Sequence, residues 1–303
     1  MNALVNRLFP AHSNRRMIVR VLRQLTRAPH TVFHRLHWEN GANFVRFCRH
    51  RFTCPICGHD VTPLYDFPDV YLRREHRVAV LRETLQCRSC FASMRQRTLA
   101  LGLLGFLNAR LRTSVPSIAA LGSAGFHGLT VLDSDNFSAI SRLLRATPGY
   151  VRCSYLPTRP FGQELEPGYF NIDLQRIDFP DASFDVVLSS DVMEHVRNCD
   201  AAHAEIGRIL RPGGAYVFTV PFDEQEAENR QLVDTSTDQD VFLCKPHIHG
   251  DVLSAGGILA YRVFGRALIA ELEHLGFTVS FHRIQQPSSG VFGGDVFVAI
   301  KAG

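Results

Sequence analysis

Phe179-Pro180-Asp181-Ala182-Ser183-Phe184-Asp185-Val186-Val187-Leu188-Ser189-Ser190-Asp191-Val192-Met193-Glu194-His195-Val196 is the stretch on which the fold turns. Residues 184–191 form a short apolar run bounded by turn formers and acids, which predicts a strand buried on both faces. A helical periodicity follows over 201–210 and stops at Arg211-Pro212-Gly213-Gly214, where proline and paired glycines cannot continue a helix. A second apolar run, 215–220, leads into Pro221. Strand, helix and strand in that order read as one βαβ unit of a mostly parallel sheet.

The same alternation extends both ways. Towards the N-terminus lie a strand over 129–133, a helix over 137–145 that stops before Pro148-Gly149, a strand over 150–155 and a short strand over 170–174. A leucine-rich helix over 93–111 precedes them. Towards the C-terminus, residues 223–257 are polar and weakly periodic, and read as a lid or insertion over the carboxyl ends of the strands, where open α/β sheets bind ligands. A helix over 263–275 and strands over 278–283 and 295–300 close the chain, and strands joined so briefly must run antiparallel. The expected fold class is α/β, a Rossmann-like seven-stranded, mostly parallel sheet with a reversed last strand.

With 303 residues, 46% of them hydrophobic, the chain can bury a full core and is neither disordered nor fibrous. Its longest apolar stretch, 99–107, is broken by glycines and falls short of the roughly 20 residues that cross a bilayer. Arg7, Arg15, Arg16, Arg20 and Arg23 interrupt any signal-peptide core, so a cytoplasmic location is expected. Residues 1–51 hold ten arginines and one acid, Glu39. This basic arm reads as an amphipathic helix packed through Ile18, Val19, Leu22 and Leu25, with contact to an anionic membrane surface or a nucleic acid as the functional alternative.

Four of the eight cysteines form two C-x-x-C pairs, Cys54/Cys57 and Cys87/Cys90. In a cytosolic chain that pattern favours metal over cystine, and four thiolates suit a closed, structural zinc site. The expected organisation is a basic helical arm over 1–50, a zinc-ribbon module over 51–92 and a catalytic domain over 93–303.

The run from Phe179 to Val196, with Glu205-Ile206-Gly207-Arg208-Ile209-Leu210-Arg211-Pro212-Gly213-Gly214, resembles the central motifs of class I S-adenosylmethionine-dependent methyltransferases of the type-11 kind. Cys87-Arg88-Ser89-Cys90 followed by Arg95-Gln96-Arg97 is similar to the junction of bacterial members that begin with a zinc ribbon. The resemblance covers roughly residues 120–303 and implies S-adenosylmethionine as cofactor. It places Asp133, Ser134 and Asp135 after the first strand, Ser154 and Tyr155 after the second, Asp173 and Leu174 at the adenine, and Ser190 and Asp191 after the fourth strand, all as cofactor-binding positions.

Two departures stand out. The usual glycine-rich turn after the first strand is absent from Leu132-Asp133-Ser134-Asp135-Asn136-Phe137. Gly122-Ser123-Ala124-Gly125 cannot replace it, being too close to Leu129 for a parallel crossover. The second strand also lacks an obvious ribose-binding acid.

Methyl transfer is an in-line displacement that mainly requires alignment and exclusion of water. A hydroxyl acceptor additionally needs its proton removed, and histidine is matched to neutral pH. His195 is the first candidate and His249 the second; the plainer readings of His195 are a structural place at a helix N-terminus, or metal or substrate binding. Metal binding by His247, His249 and Asp251 is the weaker reading of that cluster. The leading expectation is methyl transfer to a hydroxyl of a sugar, glycan or related small polar metabolite. An RNA methyltransferase is the second reading, and a methyltransferase-like scaffold without activity the third.

Overall fold

The computed structural model of the chain describes residues 42, 45–47, 49–65, 80–124, 128–250 and 256–303. The basic arm expected over 1–50 lies almost wholly outside the described residues, as does Asp251. The chain divides into two compact units, Met1–Arg97 with Gln285–Gly294, and Thr98–Ile284 with Asp295–Gly303.

In the first unit two short antiparallel ribbons carry the cysteine pairs: Phe52–Thr53 pairs with Asp60–Val61, and Pro63–Tyr65 with Leu85–Cys87. Arg97 is fully buried there. Its guanidinium donates to the carbonyls of Ala92 at 2.7 Å, Gly290 at 2.8 Å and Leu85 at 3.2 Å, and lies over the Phe52 ring. Arg95 reaches Glu83 instead, at 2.7 Å. The R-x-R that follows the second cysteine pair is thus one buried tie and one half-buried ion pair.

The second unit is built on strands β1 (Val131–Asp133), β2 (Tyr150–Ser154), β3 (Tyr169–Asn171), β4 (Phe184–Ser190), β5 (Leu210–Thr219), β6 (Phe277–Gln286) and β7 (Val291–Lys301), in the order β6-β7-β5-β4-β1-β2-β3. The pairs β5–β4, β4–β1, β1–β2 and β2–β3 are parallel, and β7 runs antiparallel to β5. An eighth strand, Glu164–Glu166, extends the edge antiparallel to β3. Sequence pattern gives no hint of it, because Glu-Leu-Glu offers a single apolar position.

β4 is buried along its whole length, as its composition demands. Leu132, Val187, Tyr216, Phe218 and Phe297 from the sheet pack with Ile206, Leu268 and Leu272 from helices Cys199–Ile209 and Ala267–His274. On helix Met94–Leu111, a Cβ at Gly102 would meet Val296 at 2.8 Å, so glycine there permits close approach to the sheet. A further helix, Ile118–Ala124, takes in the glycine-containing stretch before β1.

Two motif residues turn out to hold the frame together. Asp185, 5% exposed, accepts from Thr130 N at 2.9 Å, Arg211 at 2.6 Å and Arg110 at 3.1 Å, and so ties β4 to the start of β1, to β5 and to helix Met94–Leu111. Glu205 accepts from Ile177 N at 2.7 Å and from Arg208, whose guanidinium also donates to the carbonyls of Ile177 and Phe179. The expected stop at Pro-Gly-Gly is a bulge within β5, with the register shifting between Leu210 and Ala215. Gly214 is required there, since a Cβ would stand 2.8 Å from Arg211 O and 2.9 Å from Asp185 O.

Candidate active site

Parallel registers bring the carboxyl ends of β3, β2, β1, β4 and β5 side by side, with Asp133 paired to Arg152 and Leu188, and Ser190 to Thr219. The strand-end residues singled out in the sequence therefore share one rim. Asp133 is only 2% exposed and accepts from Tyr150 Oη and, at 2.8 Å, from Asp135 N. Burial, reinforced by the charge of Asp135, pushes its carboxyl up to about 7 against the pull of those two hydrogen bonds. Ser134 turns inward, its hydroxyl donating to Leu188 O at 3.1 Å, and Ser138 caps helix Ala139–Leu144 through Ser141 N at 2.9 Å. No residue of the turn 134–138 has a positive φ, so it is an ordinary capped turn.

Across the rim, Ser154 is buried and accepts from Tyr169 Oη at 2.9 Å. Tyr155 is half-exposed and stacks on Phe161, and burial followed by the nearby Asp173 charge raises its hydroxyl pKa. Asp173 accepts from Gln175 N at 2.9 Å and Gln175 Nε2 at 3.0 Å, while Leu174 is buried in the core. An acid beside a half-exposed aromatic ring offers a nucleoside both an acceptor for an amine or hydroxyl and a flat apolar face. That donor set fits the adenosyl part of S-adenosylmethionine. The turn after β1 is where the fit departs from the usual glycine-lined cradle.

The exit of β4 is strained. Asp191 sits at φ 54°, held by Asp191 N donating to Thr219 O at 2.9 Å and Thr219 Oγ1 donating to Asp191 Oδ1 at 2.8 Å. The reversal leads into a 3₁₀ turn, Met193–His195, that buries Met193 and Glu194 completely. Arg262 clamps this turn, donating to the carbonyls of Met193, Val196 and Arg197 at 3.2, 2.6 and 2.8 Å.

The expected insertion is a set of small ribbons: Arg230–Gln231 with Arg262–Val263, Val233–Asp234 with Val241–Phe242, and Ile248–His249 with Ile258–Leu259. The last of these meets the 3₁₀ turn. His195 Nδ1 lies 2.8 Å from Leu259 O, and since a carbonyl only accepts, Nδ1 carries a proton. His249 Nδ1 is 3.3 Å from His195 Nε2, and Glu194 Oε1 is 3.6 Å from His195 Nε2 and 3.9 Å from His249 Nδ1. The two histidines singled out in the sequence thus meet, together with Glu194, to which the sequence had assigned no role. His247 is exposed and stands outside the group. A polar cavity of about 530 Å³ is bordered by Arg197, Asp200, Asn229, Thr235, Arg262 and Glu271; Glu194, His195, His249 and the strand-end rim do not line it.

In the first unit, Cys54 Sγ is 3.7 Å from Cys90 Sγ and Cys57 Sγ is 3.8 Å from Cys87 Sγ. Four sulfurs at ~2.3 Å from a tetrahedral ion stand ~3.8 Å apart, so the cluster has the dimensions of such a site. Two turns shape it: Gly58, at φ 75°, donates to Cys54 O, and Phe91, at φ 60°, donates to Cys87 O. Hydrogen bonding from Cys54 draws the Cys57 and Cys87 thiols towards ionisation. Burial works against the charge of Arg97, and all four cysteines favour it.

A twisted parallel sheet in this order, with its polar rim at the strand carboxyl ends and its last strand reversed, is the Rossmann-like architecture of class I S-adenosylmethionine-dependent methyltransferases. Residues 157–218, about a fifth of the chain, match the family described as Methyltransferase domain. Among curated relatives, the Sterol 24-C-methyltransferase of Yarrowia lipolytica is 32% identical over 83 residues, 26% of this chain and 21% of that protein. That of Eremothecium gossypii is 32% identical over 80 residues, 25% of this chain and 21% of that protein. The matched part therefore spans about a fifth of either relative. Similar solved structures include S-adenosylmethionine-bound CalS10, an amino pentose methyltransferase from Micromonospora echinaspora, at TM-score 0.38 and 16% identity over 61% of this chain and 89% of that one. A methyltransferase from Mesorhizobium loti is similar at TM-score 0.37 and 18% identity, over 57% and 90%.

Proposed function

We propose that the chain is an S-adenosylmethionine-dependent methyltransferase that methylates a hydroxyl of a sugar, glycan or related small polar metabolite. The observation that carries this reading is the convergence of Glu194, His195 and His249 beside the strand-end rim, within a chain whose residues 157–218 match the methyltransferase domain. When bound, S-adenosylmethionine supplies an electrophilic methyl group. Asp173 would accept from the adenine amine, with Tyr155, Ser154, Asp133, Ser134, Asp135, Leu174, Ser190 and Asp191 forming the rest of the rim. His195, its Nδ1 committed to Leu259 O, presents Nε2 to the acceptor's proton, and His249 stands within reach as its partner. Cys54, Cys57, Cys87 and Cys90 would hold a structural zinc ion, with Arg97 as the buried countercharge.

Calorimetric titration of the full chain with S-adenosylmethionine tests the cofactor assignment. The Asp173→Ala variant should bind roughly ten- to a hundredfold more weakly, the worth of a hydrogen bond to a charged group. No heat and no thermal shift with the unaltered chain would favour an inactive binding scaffold, the reading that the glycine-free turn after β1 supports.

A further inference from the structure

We infer that Glu194, His195 and His249 form a binding site for one borderline divalent cation of the zinc, cobalt or iron type, distinct from the four-cysteine cluster. The circle through Glu194 Oε1, His195 Nε2 and His249 Nδ1, whose separations are 3.3, 3.6 and 3.9 Å, has a radius of about 2.1 Å. An ion at its centre would stand at the usual ~2.0–2.2 Å from all three atoms at once.

Tautomer chemistry agrees with the geometry. His195 donates Nδ1–H to Leu259 O, the outer-shell bond by which a metal-binding imidazole is oriented, and this leaves Nε2, 3.3 Å from His249 Nδ1, as the ring atom on the side of the cluster. Glu194 is fully buried and His195 nearly so, its side chain 10% exposed, whereas that of His249 is 34% exposed. A fully buried acid within 3.6 and 3.9 Å of two imidazole nitrogens is a donor set that a bound cation would satisfy. Two histidines and one carboxylate leave coordination positions open, which marks such a site as functional rather than structural. Phe91-type turns and thiolates play no part in it, so the two sites differ in donor chemistry.

The consequence for chemistry rests on the methyl-transfer reading. An acceptor oxygen at an open position would give up its proton to solvent, because cations of this type lower the pKa of a bound hydroxyl. His195 would then be a ligand, and not the proton acceptor.

Cobalt(II) is the probe, read by metal content and by absorption, so that failure of methyl transfer and failure of metal binding are told apart. The chelator-treated full chain should take up one cobalt that lacks a thiolate charge-transfer band, in addition to any cobalt at the cysteines that shows it. His249→Gln alters a partly exposed ribbon residue and should lose the band-free ion, weakening it at least tenfold while the thiolate band persists. His195→Gln should do the same, with far-UV and near-UV circular dichroism verifying the fold. An unaltered chain that takes up no band-free cobalt overturns the inference, and so does a folded His249→Gln chain that binds it as tightly as before. In either case the triad is a hydrogen-bonded acid–base relay only.

Discussion

Replacing Asp133 by asparagine should make the protein more stable at neutral pH, and the gain should vanish in acid. The carboxyl titrates at about 7 inside the fold against 3.8 for a free carboxyl, because burial and the charge of Asp135 outweigh its two hydrogen bonds. Each unit corresponds to about 1.4 kcal/mol, so ionising Asp133 within the fold costs about 4 kcal/mol. A folded pKa raised above the unfolded one means that the acid's contribution is fully present below about 4 and is lost as the pH rises through about 7. Asparagine is isosteric and neutral: its oxygen can still accept from Asp135 N, and its amide can face Tyr150 Oη, which also accepts. Urea denaturation of both chains between pH 4 and 8, followed by circular dichroism, should show a stability difference that grows by about 4 kcal/mol in favour of Asp133→Asn and flattens above pH 7. A difference that stays constant with pH, or a variant that is the less stable at pH 8, would refute an acid destabilised by burial.

Asp185→Ala should cost about 1–3 kcal/mol in urea denaturation, since it leaves the Thr130 N–H without its acceptor while the partly exposed Arg110 and Arg211 turn to water; a loss below about 0.5 kcal/mol would mean that the frame does not depend on this tie. Removing metal with a strong chelator should expose four further thiols to a thiol reagent, those of Cys54, Cys57, Cys87 and Cys90, while Cys153 and Cys199 stay protected in the core. Thiol counts unchanged by the chelator would argue for reduced cysteines without an ion.

Elements whose identity rests on local composition were legible. β4 reads as a buried strand because Phe184, Val186, Val187 and Leu188 form a short apolar run between polar ends, and β5 and helix Cys199–Ile209 follow in the same way. Elements that depend on distant partners were not. The ribbons over 230–263 contain two-residue strands, too short to show a period of two, and their pairing is fixed by backbone hydrogen bonds that no side chain announces. The site divides along the same line. Both histidines stood out by type, yet their meeting across 54 positions is a product of the fold. Glu194 was visible in the motif but carried no assigned role, because whether neighbouring side chains at 194 and 195 converge depends on the tight turn they occupy. The Leu259 carbonyl has no sequence signal at all. Arg262 had one: an arginine interrupting the apolar run Leu259-Ala260-Tyr261-Arg262-Val263-Phe264 needs buried acceptors, and three carbonyls supply them.

The left-handed Asp191 ties these threads together. An aspartate tolerates this region at a cost on the order of 1 kcal/mol, which glycine would avoid. Here the cost is offset by the two hydrogen bonds to Thr219, which only a residue with a side-chain acceptor can complete. The reversal at Asp191 buries Glu194 completely and His195 nearly so, and Arg262 then fixes the turn through its carbonyls. Tyr261 N donates to Glu194 O and Leu259 O accepts from His195, so the short stretch 259–262 supplies both the clamp and the acceptor for His195 Nδ1. Through His249, which pairs with Ile258 across the ribbon, the segment expected over 223–257 contributes to the cluster what the sheet does not. Backbone strain held in place by a network of this kind recurs where geometry serves chemistry.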